Sequence, residues 1–210
     1  MNIAVIGAGN VGSVLGTSWS KKGHSVVFGV RNTKDPKFAS LLKGAGSNAR
    51  AASVAEAAKS AEVVVLATPW PAARDAIKSA GDLRGKVFLD CTNPLKSDLS
   101  GLETAAGISA AEQIATWASG ARVVKIFNTT GSHNMENPRY PDGPITMLYC
   151  GDDTNAKKTA AQLATDLGFD PVDAGALTAA RWLESFAMLW IHLALHQKFG
   201  VNFAFRLVRR

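Results

Sequence analysis

The sequence predicts one α/β domain, residues 1–210, built around a mostly parallel sheet and ending in a long C-terminal helix. Short β-branched runs alternate with alanine-rich helical segments, which is the pattern of βαβ units. A chain of 210 residues is long enough for one domain with a substantial core. No internal repeat, low-complexity linker or sharp change of composition marks a domain boundary.

The alternation assigns each element in turn. The first half is predicted to contain strands Asn2–Ile6, Ser25–Val30, Glu62–Ala67 and Lys86–Asp90 and helices Asn10–Lys22, Ser53–Ser60 and Pro71–Ser79. The second half is predicted to contain helices Ala110–Ala118 and Asn155–Asp166 and strands Arg122–Phe127, Ile145–Cys150 and Asp170–Val172. A sheet of seven or eight strands results, in a doubly wound fold of the Rossmann type. Between these elements, Arg31–Ser53 is predicted to be the loosest and most mobile segment.

An apolar helix is predicted from Leu177 to about Lys198, within a helical segment covering about residues 177–200. Its apolar residues recur at steps of three and four: Leu183, Phe186, Trp190 and Leu193. The helix is predicted to be either a packed lid or the contact of a homodimer, because Trp182 and Trp190 add large apolar area. Its most apolar stretch has about ten residues, whereas a membrane-spanning helix needs ~20, so no membrane span is expected.

Composition narrows the class of protein. Hydrophobic residues make up 47% and charged residues 19%, as in globular domains. The net charge of +6 suits phosphate-bearing ligands, but the basic residues are scattered, so nucleic-acid binding is not predicted. Cys91 and Cys150 lie in apolar runs and are predicted to be buried, inert thiols. Because cysteines are few and no secretory leader precedes the first strand, a cytoplasmic location is expected.

The N-terminal segment carries a phosphate-binding motif. Gly7, Gly9 and Gly12 match G-x-G-x-x-G, with Asn10 and Val11 inside it. The motif directly follows a predicted strand and opens a predicted helix, so the backbone can approach a pyrophosphate at the positive helix end. A tight strand-to-helix turn without a ligand would need Gly7 or Gly9 but not all three glycines. Dinucleotide binding is therefore the favoured interpretation.

The end of the second strand indicates which dinucleotide is bound. An NAD site usually has a carboxylate about 20 residues after the motif, to accept from the ribose 2′-hydroxyl. Here Arg31 lies 19 positions after Gly12 and is followed by Asn32 and, two residues on, Lys34. A guanidinium suits a 2′-phosphate, whereas the alternative is a solvated loop. NADP(H) is thus predicted over NAD(H).

Loops that follow the later strands are the candidates for the reactive end of the cofactor. They are Thr68-Pro69-Trp70, Thr92-Asn93-Pro94 and the segment from Asn128 through Gly131 and Ser132 to His133. Each also has an ordinary interpretation as a turn. His133 can line the site or be a surface residue.

Proton-transfer chemistry is poorly represented in this sequence. Lys125 and Asn128 form K-x-x-N, but on a strand residues three apart lie on opposite faces, so an acid/base pair is not expected. His192 and His196 have a helical metal-ligand spacing without a third ligand, so no metal is predicted. No catalytic residue is assigned. Direct hydride transfer between two rings held ~3–3.5 Å apart needs positioning and no catalytic acid.

Segments spread over nearly the whole chain resemble a known family. They are GAGNVG, FGVRN, ATPW, LDCTNP, VVKIFNTTG, YCGDD and GFDPVDAGAL followed by AARWLES. The chain resembles the NADP oxidoreductases that use the deazaflavin coenzyme and the related cytosolic domains of six-transmembrane ferric metalloreductases. The resemblance places Asn128 where deazaflavin enzymes have histidine, and the metalloreductase-like domains share its F-N pair.

This resemblance also implies roles for individual residues. It implies that Gly9–Gly12 hold the pyrophosphate, that Val30 and Arg31 hold the 2′-phosphate and that Pro69 and Trp70 face the ribose. Asn93 and Ser132 would lie at the nicotinamide end. On the flavin side the candidates are Asn128, Gly131 and His133, the last at a position where the metalloreductase-like domains have an aromatic residue against the flavin.

The leading functional hypothesis is an NADPH-dependent reductase of a small-molecule electron acceptor, with FMN, FAD or deazaflavin as the co-substrate. One alternative is an imine or carbonyl reductase, in which Lys125 or His133 would supply a proton. The other is a non-catalytic redox sensor that contacts a partner through the long helix. A ring-sized cleft beside the nicotinamide would favour the reductase, and a filled one would favour the sensor.

Overall fold

A computed structural model describes residues 1–103 and 107–210 and contains an eight-stranded sheet with helices on both faces. The strands of this sheet are β1 (Asn2–Ile6), β2 (Ser25–Gly29), β3 (Ala49–Ala52), β4 (Val63–Leu66), β5 (Val87–Asp90), β6 (Arg122–Lys125), β9 (Thr146–Gly151) and β10 (Asp170–Asp173). A separate two-stranded ribbon is formed by β7 (Arg139–Tyr140) and β8 (Gly143–Pro144). The α-helices are α1 (Asn10–Lys21), α2 (Lys37–Ala45), α3 (Val54–Ser60), α4 (Trp70–Ala80), α5 (Ala110–Trp117), α6 (Ser132–Glu136), α7 (Thr154–Leu167) and α8 (Ala180–Ile191).

The order of the strands confirms the predicted doubly wound fold. Their spatial order is β10-β9-β6-β5-β4-β1-β2-β3, and all neighbours are parallel except β6 and β9. The chain starts in the middle of the sheet, builds outward to β3 and returns to β4 on the other side of β1. In such sheets this reversal of direction opens a crevice at the carboxyl ends of the central strands.

Apolar side chains cover both faces of the sheet. On one face the strands pack against α1, α2 and α7, where Trp19 and Leu163 are buried. On the other face they pack against α3, α4, α5 and α8, where Ile77 and Ile114 are buried. The central strands β4 and β5 are buried at every position, as expected for parallel strands covered on both sides.

The segment Arg31–Ser53, for which no element was predicted, contains a helix and a strand. Phe38 of α2 is buried, and Gly46, at φ +83°, ends that helix. Strand β3 has the sequence Ala-Arg-Ala-Ala, which has little intrinsic strand propensity, and it forms by pairing with β2 at the sheet edge. Gly44 lies in the last turn of α2 and Gly46 follows directly after it, so these two glycines mark a helix terminus.

The C-terminal helical segment is present, as predicted, and changes its winding along its length. A 3₁₀ turn at Leu177–Ala179 leads into α8, and a π-helical turn at His192–His196 follows it. The chain then folds back, and the Phe203 carbonyl oxygen accepts a hydrogen bond from Trp190 Nε1 at 3.0 Å. Over the described ranges, no helix combines the length and the apolar character that crossing a membrane requires.

Candidate functional site

The turn between β1 and α1 needs glycine at two positions because the backbone is crowded. Gly7 has φ +96°, and a Cβ there would lie 2.7 Å from the Ala67 carbonyl oxygen at the end of β4. A Cβ at Gly12 would overlap the carbonyl oxygen of Gly7. These contacts bring the start of α1 against the ends of β1 and β4, which is where the strand order reverses.

Gly9 has a different environment from the other two glycines. A Cβ at this position would meet no atom within 4 Å, although Gly9 caps α1 and has φ −84°. The first hydrogen bond of the helix runs from the Ser13 amide to the Gly9 carbonyl oxygen, so the amides of Asn10, Val11 and Gly12 have no partner within the helix. Open space faced by free amides at a helix N-terminus is suited to a pyrophosphate.

A cleft of about 750 Å³ extends from this turn across the ends of β1, β2 and β4. Its lining includes Gly7, Gly9, Val30, Arg31, Asn32, Asp35, Lys37, Thr68 and Pro69. The exposed Arg31 and Asn32 lie where the sequence predicts the 2′-phosphate, and the buried Val30 lies at the end of β2. Lys34 is exposed on the loop and is not among the lining residues, whereas Lys37, at the start of α2, is. Sequence reasoning missed Lys37 because it missed α2.

Part of the wall of the cleft comes from the loop after β4. Thr68 lines the cleft, and its Oγ1 is buried without a hydrogen-bond partner. Such a hydroxyl in a ligand-sized cleft suits a ribose or phosphate oxygen, so the cleft fits a dinucleotide. The Trp70 ring stacks on Trp117 at 5.3 Å, so this side chain packs α4 against α5 while Thr68 and Pro69 form the wall.

Two asparagines join the loops that follow β5 and β6. Asn93 Nδ2 donates to the Asn128 carbonyl oxygen at 2.9 Å, and Asn128 Nδ2 donates to Asn93 Oδ1 at 3.0 Å and to the Leu183 carbonyl oxygen at 3.2 Å. Two acceptors around Nδ2 fix the orientation of the Asn128 amide, and its Oδ1 is buried without a partner. The preceding Phe127 has φ +60°, a strained conformation for a bulky residue.

The loop after Asn128 begins α6 and lies under the long C-terminal helix. Gly131 caps α6, and a Cβ there would lie 2.7 Å from Trp190 Cη2, so glycine is required for this approach. Trp190 stacks on Phe203 at 5.2 Å, and these rings fill the space between Gly131 and α8. Ser132 is half-buried and His133 is exposed on the first turn of α6.

A buried ionic network lies beneath these loops, and the sequence analysis did not predict it. Lys125 Nζ lies 2.9 Å from Asp90 Oδ2 and 3.0 Å from Glu184 Oε1, and it donates to the Thr92 carbonyl oxygen at 2.6 Å. All three side chains are almost completely buried. Burial opposes the charge on Lys125, but the two carboxylates outweigh it and raise the pKa of the ammonium. Lys125 thus stays charged, with all three donors in use.

Neither the pair of His192 and His196 nor the two cysteines add a metal site or a reactive thiol to the described residues. The His192 and His196 rings lie 5.4 Å apart, and within the described ranges no cluster of three or more His, Cys, Asp or Glu could hold a metal ion. Cys91 and Cys150 are free and buried, as predicted. Burial raises the pKa of the Cys91 thiol well above its usual value and that of Cys150 to about 12.

The glycine turn, the basic strand end and the reversed strand order together define a dinucleotide-binding Rossmann domain. Residues 2–94 match the model of the NADP oxidoreductase, coenzyme F420-dependent family. A candidate F420-dependent NADP-reductase from Arthrobacter sp. FB24 is 32% identical, with a TM-score of 0.89 over 100% of both chains. The chain belongs to the family of NADP oxidoreductases of the F420-dependent type and binds NADP(H).

Two further comparisons give one relative in sequence and one neighbour in fold. Metalloreductase STEAP3 of Rattus norvegicus is 32% identical over 187 residues, which are 89% of this chain and 36% of the metalloreductase. The chain thus spans about a third of the length of that relative. An imine reductase from Myxococcus stipitatus in complex with NADP⁺ has a TM-score of 0.67 at 20% identity, over 96% of this chain and 68% of that one. At this identity the likeness concerns the fold alone.

Proposed function

We propose that the protein transfers hydride between NADP(H) and a flavin or deazaflavin by direct ring-to-ring contact. The observation that carries the proposal is that Lys125, one of the two candidate proton donors at the reactive end, is buried and paired with two carboxylates. The other candidate, His133, is exposed, where its ring is available to a planar acceptor. Hydride transfer between rings needs only that they be held in contact.

Each end of the cofactor has its own set of residues in this proposal. The amides of Asn10, Val11 and Gly12 bind the pyrophosphate, and Arg31 binds the 2′-phosphate, with Val30 and Asn32 beside it. Thr68 and Pro69 face the ribose next to the pyrophosphate. Asn93, Asn128 and Ser132 hold the nicotinamide end, and His133, exposed beside Gly131, offers a planar surface to the acceptor. When bound, NADPH supplies the hydride, and the protein supplies orientation.

The experiment is an anaerobic assay of NADPH oxidation with FMN, FAD and a deazaflavin supplied separately. We expect at least one of these acceptors to be reduced at a rate that depends on enzyme concentration. Replacing NADPH with NADH controls for the choice of nucleotide. If the protein binds NADPH but none of the three acceptors accelerates its oxidation, the proposed reaction is wrong.

Arg31→Ala is expected to weaken binding of NADPH while leaving NADH binding nearly unchanged. A guanidinium paired with a phosphate contributes about 1.5–3 kcal/mol, so the NADPH dissociation constant should rise about 10- to 100-fold. Fluorescence titration of both nucleotides measures the two constants. The matched control is Lys34→Ala, because Lys34 is exposed on the same loop but does not line the cleft. If Arg31→Ala changed the dissociation constants of NADPH and NADH by the same factor, Arg31 would not be a ligand of the 2′-phosphate.

A redox sensor is the second candidate, because Trp190 and Phe203 fill the space between Gly131 and α8. In that function the nicotinamide would signal through the contact of α6 with α8. A sensor must bind NADPH and NADP⁺ with different affinities. Equal affinities for the two forms would exclude this candidate.

We further propose that the protein forms a homodimer through α8 and acts in the cytoplasm. Trp182 is 71% exposed on this helix and Leu189 is 46% exposed. Trp190 is buried within the chain, so it is not available to a second subunit, and the expectation that it adds to a dimer contact is corrected. The two reduced, buried thiols support a reducing compartment. The mass in solution measures the oligomeric state.

A further inference from the structure

Burying the Asp90–Lys125–Glu184 network costs free energy of desolvation, so a gain in stability does not by itself account for the presence of this network. Transferring three charges from water to a protein interior is expensive, and well-packed apolar residues are often as stable or more so. The network also joins elements that are distant in sequence: Asp90 ends β5, Lys125 ends β6 and Glu184 lies on α8. It therefore fixes the relative position of two strand ends and the long helix.

The network connects directly to the pair of asparagines above it. Asp90 Oδ1 accepts hydrogen bonds from the amide and the hydroxyl of Thr92, both at 2.8 Å, while Lys125 holds the Thr92 carbonyl oxygen. The next residue, Asn93, makes the reciprocal hydrogen bonds with Asn128. Because the amide and the carbonyl oxygen of Thr92 are both hydrogen-bonded, the backbone position of the next residue, Asn93, is fixed.

One buried hydrogen-bond acceptor has no partner within this series of contacts. Asn128 Nδ2 is occupied by two acceptors, so the amide cannot turn over, and Asn128 Oδ1 faces away from them without a partner. An unpaired buried carbonyl oxygen costs free energy, which a donor from a ligand would recover. The nicotinamide carboxamide presents an NH₂ donor of the required kind.

We propose that Lys125 is a positioning residue for the cofactor: through Thr92 and Asn93 it holds Asn128 Oδ1 in place to accept from the nicotinamide carboxamide. Asn128 contacts the cofactor, whereas Lys125 acts only through the intervening residues. The proposal rests on the NADP(H) site of the proposed function. The proposal concerns only the nicotinamide half of the cofactor, because none of the residues that line the cleft around Arg31 belongs to this network.

The experiment compares the dissociation constants of NADPH and of adenosine 2′,5′-bisphosphate, which lacks the nicotinamide. The test variant is Asp90→Asn/Lys125→Met/Glu184→Gln, which removes all three charges together and keeps the acceptor for Thr92 and one of the two acceptors for α5. Its folding is checked by circular dichroism and its melting temperature. We expect the constant for the bisphosphate to stay within about twofold, and that for NADPH to rise about tenfold, as for one lost hydrogen bond.

Four further variants complete the design. Asn128→Ala should raise the NADPH constant by the same factor, and adding it to the triple variant should cause no further loss, because both act on one contact. Arg31→Ala should weaken the binding of NADPH and of the bisphosphate by the same factor, because both ligands carry the 2′-phosphate. This variant is the control for the half that the two ligands share. Glu184→Gln alone should raise the NADPH constant less and in the same direction, and it keeps the test available if the triple variant does not fold.

Two results would overturn this role of Lys125. One is an unchanged ratio of the two constants in the folded triple variant or, if that variant does not fold, in Glu184→Gln. The other is a loss in the combined variant equal to the product of the separate losses. A wild-type protein that fails to bind NADPH would end both proposals. Failure to reduce any flavin, with these binding results intact, would end only the proposed reaction.

Discussion

Gly12→Ala is expected to abolish measurable NADPH binding and to destabilise the fold by about 1–3 kcal/mol, the typical cost of overpacking. The added Cβ would overlap the carbonyl oxygen of Gly7, which is backbone and cannot turn aside. Relief requires that α1 move away from the ends of β1 and β4. The amides that face the pyrophosphate would move with the helix. Nucleotide titration and chemical denaturation measure the two effects.

Gly9→Ala is the matched control, because it separates the ligand from the fold. Its Cβ meets no atom within 4 Å, and φ −84° is accessible to alanine. Alanine is a poorer N-cap but restricts the unfolded chain, so stability should stay within about 1 kcal/mol. NADPH affinity should fall about 10- to 100-fold, the scale of one or two charge-assisted hydrogen bonds. If Gly9→Ala bound NADPH as the wild type does, the pyrophosphate would not lie against this turn.

Features that depend on a short stretch of sequence were predictable. The glycine spacing reflects the close approach of Gly7 and Gly12 to each other and of Gly7 to the end of β4. The position of Arg31 at the end of the second strand could be predicted from its distance along the sequence to Gly12. The period of a strand predicts no acid/base pair at K-x-x-N, and the structure places Lys125 at the end of a strand, buried between two carboxylates. These inferences need only local geometry and the period of a strand.

Features that depend on pairing across the fold were not predictable in the same way. Strand β3 has no strand signal of its own and forms only because β2 offers an edge. Lys37 reaches the cleft only because α2 begins at that residue. Glu184 is 59 residues from Lys125, and nothing in the apolar periodicity of α8 marks one acid on its buried face as the partner of a strand lysine. Tertiary contact, which overrides local propensity, decides all three.

Glu184→Ala is expected to lower the free energy of unfolding by about 3–5 kcal/mol, the cost of breaking a buried ion pair on one side. Its Oε1 and Oε2 accept from the amides of Ala111 and Ala110 at 3.2 and 3.0 Å, so the carboxylate also caps α5. Its removal leaves Lys125 with one counter-ion and leaves two buried amides unpaired. Chemical denaturation measures the change.

Glu112→Ala tests the same helix terminus without the buried charge. Glu112 belongs to the capping box of α5, where its Oε2 accepts from the amide and the hydroxyl of Ser109, and it is partly exposed. Its loss should cost about 1 kcal/mol, as for other helix caps. Both variants weaken the N-terminus of α5. Glu112 Oε1 also lies 3.7 Å from Arg181 of α8, a partly exposed ion pair worth at most about 1 kcal/mol, so most of the difference between the variants comes from the buried network. Equal losses would mean that Glu184 serves α5 alone, and the link from α8 to Lys125 would have no measurable strength.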